Sequence, residues 1–296
     1  MRRRFGALPA VGSRGAQRKP TLIDPVNWLL IIPILLAVGM IAGTLAGLLG
    51  VGGGIVIVPV LYWLTGVKLL PVAENVALHF AMATSLLTII PTSISSARAY
   101  YKKGTIDMEL FKSWALFMAI GALIGGWLAA NIDADALSGV FGCIALLVMI
   151  NMLNPHSITL AEAPPASLRS QAAIAGPIGT FSAMMGIGGG TLSVPAMTLL
   201  SFPVHKAVGT AALFGLVIAV PGILGYATAG QNIPGLLHYS VGFINLPAAI
   251  IISTATFMFA PQGVKIAHRL NARGLKTAFA LFLGISGVKM LYETFL

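Results

Sequence analysis

Two stretches of this chain contain no Asp, Glu, Lys or Arg at all: residues 25–67 and residues 207–264. An apolar helix needs only about 20 residues to cross a bilayer. Each stretch is therefore long enough for two passes, or for one pass and a hairpin. Over the whole chain, charged residues are 9% of 296 and hydrophobic ones 57%, against about 25% charged in a typical soluble domain. Eight acids and eighteen bases cannot cover the surface of a soluble fold this large. Soluble enzymes, soluble nucleic-acid binders and disulfide-rich secreted domains are excluded. The single cysteine, Cys143, lies in an apolar run and rules out an internal disulfide framework. The chain reads as an all-α, polytopic membrane protein.

Its net charge of +10 is concentrated at one end. Arg2, Arg3, Arg4, Arg14, Arg18 and Lys19 put six of the eighteen bases in the first nineteen residues, among glycines and Pro9. Residues 1–25 are therefore expected to be a basic, disordered tail, and bases beside a first span keep that end cytoplasmic. The apolar stretch that follows, residues 28–49, is too long for a signal-peptide core.

The chain is also duplicated. Residues 43–59 read GTLAGLLGVGGGIVIVP and residues 179–195 read GTFSAMMGIGGGTLSVP, identical at eight of seventeen positions. At an offset of 126, His79, Ala81, Thr84, Tyr100 and Gly104 match His205, Ala207, Thr210, Tyr226 and Gly230. At an offset of 138, Phe141, Met152 and Leu153 match Phe279, Met290 and Leu291. A fixed period of this kind marks repeated structural units. The first repeat is placed at residues 26–153 and the second at 171–296, with 154–170 as an extramembrane linker rich in proline. Each repeat is expected to hold helices at 28–49, 55–64, 79–99, 113–131 and 136–153, or at 171–185, 191–200, 206–228, 240–262 and 276–292. The second helix of each set is too short to span, which leaves about eight spans.

Glycine separates the first two helices of each repeat. Three adjacent glycines cost about 1 kcal/mol each relative to alanine inside a helix, so each run predicts a broken helix or re-entrant segment. Irregular backbone at membrane depth must be buried in protein or line a wet cavity. Broken helices at matching places in two repeats point to a transport site. The freed N–H groups and the positive end of the helix dipole favour an anion there. Gly52, Gly53, Gly54, Gly188, Gly189 and Gly190 are the candidate backbone donors; close helix packing is the competing reason for such glycines. Substituting Leu at Gly53 and Gly189 is expected to abolish flux and leave the protein folded.

HFAMAT at 79–84 and HKAVGT at 205–210 form a second repeated constellation, with a histidine near the start of the third helix and a threonine after it. Ionisable side chains within a membrane are functional candidates. His79, His205 and Lys206 are assigned positive potential at the site or its entrance. Thr84, Ser85 and Thr210 can donate to an oxyanion, or bond back to their own helix carbonyls. None of the proposed spans contains Asp or Glu, so a carboxylate proton relay is not expected and an anion suits the interior better than a cation. No metal-ligand spacing, cofactor motif or catalytic set is present, and the chain is not read as an enzyme. The expected partners are a small anion and membrane lipid, with a homodimer left open and no nucleic acid.

The loop charges bear on orientation. Arg98, Lys102, Lys103 and Lys112 surround the end of the third helix in the first repeat, whereas the second repeat carries Lys265, Arg269, Arg273 and Lys276 one helix later. If positive residues mark the cytoplasm, the repeats are inverted. Four full spans per repeat would make them parallel; the charges favour the inverted arrangement.

The paired GTxxxxxGxGGGxxxVP motifs, ATS at 83–85 and GTA at 209–211, INLPAAI at 244–250 and AHRLNARGLKTAFALFLGISGVKML at 267–291 resemble the sulfite exporter TauE/SafE family of membrane permeases. The resemblance covers about residues 30–294, with Ala83 standing where the family more usually has Gly. It implies a duplicated permease of about eight spans that moves a sulfur-containing anion such as sulfite, a sulfonate or sulfoacetate across a bacterial inner membrane. The expected function is secondary transport of such an anion. A non-transporting membrane scaffold or partner subunit, and an anion channel, are the alternatives.

Overall fold

The computed structural model describes residues 25–153, 167–230, 233, 235–267 and 272–295. The basic tail and most of the linker lie outside the described residues. The first half consists of α1 (Pro25–Leu49), α2 (Gly54–Gly66), α3 (Glu74–Tyr101), α4 (Met108–Asn131) and α5 (Ala134–Leu153). The second half consists of α6 (Leu168–Met184), α7 (Gly190–Leu199), α8 (Val204–Ala229), a hairpin of β1 (Ser240–Val241) and β2 (Ile244–Asn245), α9 (Leu246–Ala267) and α10 (Ala272–Phe295). Six of these helices, α1, α3, α4, α5, α8 and α9, are long and apolar enough to cross a membrane. The chain is a multi-pass, nearly all-helical membrane protein. At 13 and 10 residues, α2 and α7 reach about 20 and 15 Å at 1.5 Å per residue, short of a hydrocarbon core about 30 Å thick.

Several helix starts differ from those expected. The fourth helix begins at Met108, because Asp107 caps it: its Oδ1 accepts the Leu110 N–H at 3.0 Å. In the second half, residues 240–245 are not helical. They turn back at Gly242, where φ is +58°, and pair Ser240 with Asn245 and Val241 with Ile244. α3 starts at Glu74, which places His79 more than a turn inside the helix. α6 starts at Leu168 behind the Ser167 cap, so the linker ends three residues early.

The halves interlock. α1 packs on α9 and α6 on α4, so the first helix of each half lies against the fourth helix of the other. α9 also packs on α3, and α4 on α8. Corresponding helices meet in two places. Between α3 and α8, Leu86 lies against Gly222 and Ser93 against Gly215, so the two run antiparallel. Between α5 and α10, Ser138 Oγ donates to the Met290 carbonyl at 3.1 Å and Gly284 lies against Met149, again antiparallel.

Small residues set the closest of these approaches. A Cβ at Gly39 would lie 2.7 Å from the Ile252 carbonyl, and one at Gly43 would lie 2.6 Å from Thr256 Cα. One at Gly47 would overlap the Ala260 carbonyl. Three glycines four residues apart thus let α1 and α9 touch along their backbones, as small residues do at membrane helix interfaces. Gly43→Val is expected to cost about 1–3 kcal/mol or more by overpacking, read as a lowered melting temperature of the detergent-purified protein. Gly66→Ala, where a Cβ meets nothing within 4 Å, should leave that temperature unchanged.

Candidate functional site: the meeting of two glycine junctions

α1 and α6 both end in a glycine in the left-handed region, Gly50 at φ +67° and Gly186 at φ +64°. Beyond this point the halves diverge. Gly52 and Gly53 keep positive φ, at +76° and +80°, whereas Gly189 is helical at φ −54°. The two junctions are buried and in contact. A Cβ at Gly52 would lie 3.0 Å from Gly188 Cα, and one at Gly190 would overlap the Gly50 carbonyl. A Cβ at Gly54 would collide with the Gly186 carbonyl and lie 2.9 Å from Ser85 Oγ. These glycines therefore allow two irregular backbones to meet inside the protein.

That geometry bears on the expected effect of leucine at Gly53 and Gly189. Leucine at position 53 would combine a positive φ with a Cβ 3.0 Å from the Ala42 carbonyl. At position 189 its Cβ would sit 2.8 Å from Phe214 Cβ and 3.0 Å from the Gly215 nitrogen. Either substitution strains the junction, so loss of flux in such variants would not by itself identify a binding site.

The helix ends at the junctions are treated unequally. The last carbonyls of a helix have no partner within it, and leaving them bare in an apolar interior is costly. Here the hydroxyl of Tyr100 donates to the Gly47 carbonyl, and that of Tyr226 to the Met184 carbonyl at 2.7 Å. Both tyrosines are buried, and they are one of the pairs related by the 126-residue offset. The starts of α2 and α7 have no such treatment. Their N-caps are Gly53 and Gly189, which have no side chain to accept from the first-turn N–H groups. The negative ends of the broken helices are thus capped, while the positive ends face each other's backbone uncapped. This arrangement suits an anion.

The predicted side chains fall into three groups. Ser85 is at the junction, its Oγ donating to the Gly186 carbonyl at 2.8 Å. Thr84 and Thr210 form an equivalent pair of cross-links between the halves. Thr84 Oγ1 accepts the Asn245 N–H at 3.1 Å, and Thr210 Oγ1 accepts the Asp107 N–H at 2.9 Å. Each threonine holds the cap of the other half's fourth helix; Asn245 Oδ1 accepts the Ala248 N–H at 3.0 Å, as Asp107 does for Leu110. The histidines part company. His79 is buried, with Nε2–H donating to the Ile132 carbonyl at 2.9 Å and its ring stacked on Phe243 at 5.0 Å. It ties α3 to the corner between α4 and α5. His205 and Lys206 are exposed in the first turn of α8.

Some contributors were not singled out from the sequence. Tyr100 and Tyr226 had already appeared as repeat partners, and Ile106-Asp107-Met108 aligns with Ile244-Asn245-Leu246 at the 138-residue offset. Repetition was the usable signal for all four capping groups. α3 also carries buried hydroxyls at Thr88, Thr92, Ser93, Ser95 and Ser96. Their counterparts 126 residues on are Phe214, Ile218, Ala219, Pro221 and Gly222, so repetition gave no sign of them. Among the described residues, the buried polar side chains are hydroxyls, Asn245 and His79, with no Asp, Glu, Lys or Arg.

The profile of the sulfite exporter TauE/SafE family matches residues 35–290. A protein of Haemophilus influenzae described as "Probable membrane transporter protein" is 32% identical over 261 residues, which cover 88% of this chain and 97% of the relative. The "Probable membrane transporter protein YunE" of Bacillus subtilis is 30% identical, over 88% of this chain and 97% of the relative. A similarly described protein of Methanocaldococcus jannaschii is 27% identical, over 90% of this chain and 97% of its own length. No solved structure matches the chain significantly.

The tyrosine caps carry a direct test of how the junctions are built. Tyr226→Phe removes only the hydroxyl and leaves the Met184 carbonyl bare, at an expected cost of about 1–3 kcal/mol. Thermal unfolding in detergent should show the loss, and Tyr100→Phe should show a comparable one. An unchanged melting temperature for both would mean that the caps contribute nothing.

Proposed function

The chain belongs to the sulfite exporter TauE/SafE family, and on that premise we propose that it is a permease moving a small sulfur oxyanion, such as sulfite or a sulfonate like sulfoacetate, across the inner membrane. One observation carries this reading: two short helices begin, without side-chain caps, where two glycine junctions meet in the buried centre of the protein. Backbone N–H groups of Gly52, Gly53, Gly54, Gly188, Gly189 and Gly190 are the proposed donors, with Ser85 beside them. Thr84, Thr210 and His79 hold the frame around the site. His205 and Lys206, exposed at the first turn of α8, supply positive potential on the way to it. An interior of neutral donors without carboxylates supports an anion over a cation.

The two halves are read as inverted copies. Support comes from the antiparallel α3–α8 and α5–α10 pairs, since copies related by an axis along the membrane normal would run their equivalent helices in the same direction. The loop charges support the same reading: the basic ends of α3 and α9 both pack beside the C-terminal end of α1, through Tyr100 on Gly47 and Gly263 against Thr44, and so share one side of the membrane, the side toward which α1 runs rather than the side where it starts.

Purified protein in liposomes should take up labelled sulfite or sulfoacetate saturably, and faster when a potassium–valinomycin potential makes the receiving side positive. Sodium and choline should not move. No flux of any anion across a broad panel would reduce the chain to a membrane scaffold or partner subunit, and conductance without saturation would make it a channel.

A further inference from the structure

The two junctions differ in chemistry, and we propose that the anion's oxygen-bearing head is held on one side only, at the start of α7, by the hydroxyls of Thr191, Ser182 and Ser93 together with the first-turn N–H groups of α7. The assignment rests on the permease reading and specifies which half of the site binds. Among the described residues, three buried hydroxyls have no hydrogen-bond partner, and they are these three. Ser93 is 1% exposed, Ser182 0% and Thr191 3%. A buried hydroxyl left unpaired is costly, so in a native interior it calls for a partner that the protein itself does not supply.

Their placement is not scattered. Ser182 lies in the last turn of α6, and its own carbonyl accepts the Ile187 N–H of the junction at 3.0 Å. Thr191 directly follows Gly190 in the first turn of α7. Ser93 reaches the same place from α3: its Oγ lies where a Cβ of Gly215 would stand, and the Gly215 nitrogen would lie 3.0 Å from a Cβ of Gly189. Neighbouring hydroxyls on α3 are already engaged, Thr88 with the Ser85 carbonyl and Thr92 with the Thr88 carbonyl and Thr256. Ser93 is left over.

Among the described residues, the first junction has no unpartnered buried hydroxyl. At the repeat offsets, Ser93, Ser182 and Thr191 correspond to Ala219, Ala46 and Ile55. The hydroxyl beside the start of α2, that of Ser85, is already bonded to the Gly186 carbonyl, whereas the hydroxyls assigned to the start of α7 have no partner. Several neutral donors around a helix N-terminus match a small, partly dehydrated oxyanion, whose oxygens accept from all sides. Gly52, Gly53 and Gly54 then serve mainly as the wall against which the second junction packs.

The test measures the half-saturating anion concentration in two ways: by flux into proteoliposomes, and by anion-dependent thermal stabilisation of the detergent-purified protein, with sulfite and sulfoacetate as probes. Ser93→Ala and the isosteric Thr191→Val should each raise it about tenfold or more, the usual scale for losing a hydrogen bond to a charged group. Thr191→Ser, which keeps the hydroxyl, should recover most of the affinity that Thr191→Val loses, and Ile55→Val at the first junction should leave half-saturation unchanged. Without anion, Ser93→Ala and Thr191→Val should melt no lower than wild type, because each removes a buried hydroxyl that has no partner. Wild-type half-saturation in both Ser93→Ala and Thr191→Val, in a protein that does transport, overturns the assignment and leaves the permease reading standing. Wild-type protein that neither moves nor is stabilised by any anion overturns the permease reading and this assignment with it.

Discussion

Backbone buried in an apolar interior has no water to bond with, and this protein breaks two runs of helix inside its own packing. Every other feature of its centre follows from how the freed groups are handled. A continuous helix satisfies itself; a broken one exposes carbonyls on one side of the break and N–H groups on the other. Tyr100 and Tyr226 cover the carbonyl side, and the Gly50 and Gly186 N–H groups turn back onto Ala46 and Ala183. The N–H side is left to face the opposite junction. Capping one sign of the broken dipole and leaving the other gives a centre built of neutral groups that suits an anion better than a cation.

The same constraint explains why the halves cannot be separated. Each α1-type helix needs a partner close enough to bury its glycine stripe, and finds it in the α4-type helix of the other half. Each of those fourth helices has its N-cap residue held by the threonine from the opposite half, through the Asp107 or Asn245 N–H. The bonds at Thr84 and Thr210 are thus two instances of one device. Residues 26–153 and 171–296 are units of sequence, but the packing unit is the pair.

Much of this was legible in the sequence because repetition filters chance. The glycine breaks and the short second helices came from positions that recur; Thr84 and Thr210 recur too, but as acceptors of the Asn245 and Asp107 N–H groups rather than as the expected donors to an oxyanion. Repetition also misled where it was trusted as equivalence of surroundings. His79 and His205 share an offset, yet one is buried against Phe243 and the other is exposed, because α3 begins five residues before its histidine and α8 only one. Helix starts were the weak point for a physical reason. In a chain this apolar, hydrophobic periodicity barely marks a boundary, and the signals that do are single capping residues such as Asp107 and Ser167. That the glycines pack against each other, rather than merely lining a gap, is a tertiary fact no local pattern carries.

The neutral character of the junction bears on energetics. A site that carried its own compensating charge could move an anion with little net charge transfer. Here the described interior holds hydroxyls, one asparagine and one histidine, and that histidine is bonded to a backbone carbonyl away from the helix starts. On the proposed reading the anion therefore crosses with its full charge. Each charge moved through a membrane potential is worth about 2.3 kcal/mol per 100 mV. A negative cell interior pushes an anion outward, so an uncoupled carrier of this construction works downhill in the direction of export. Import through the same site would have to draw on a co-transported cation or proton, and among the described buried residues no carboxylate is placed to receive one. The sign of the site, set by which helix ends are capped, thereby also sets the direction in which the membrane potential can help.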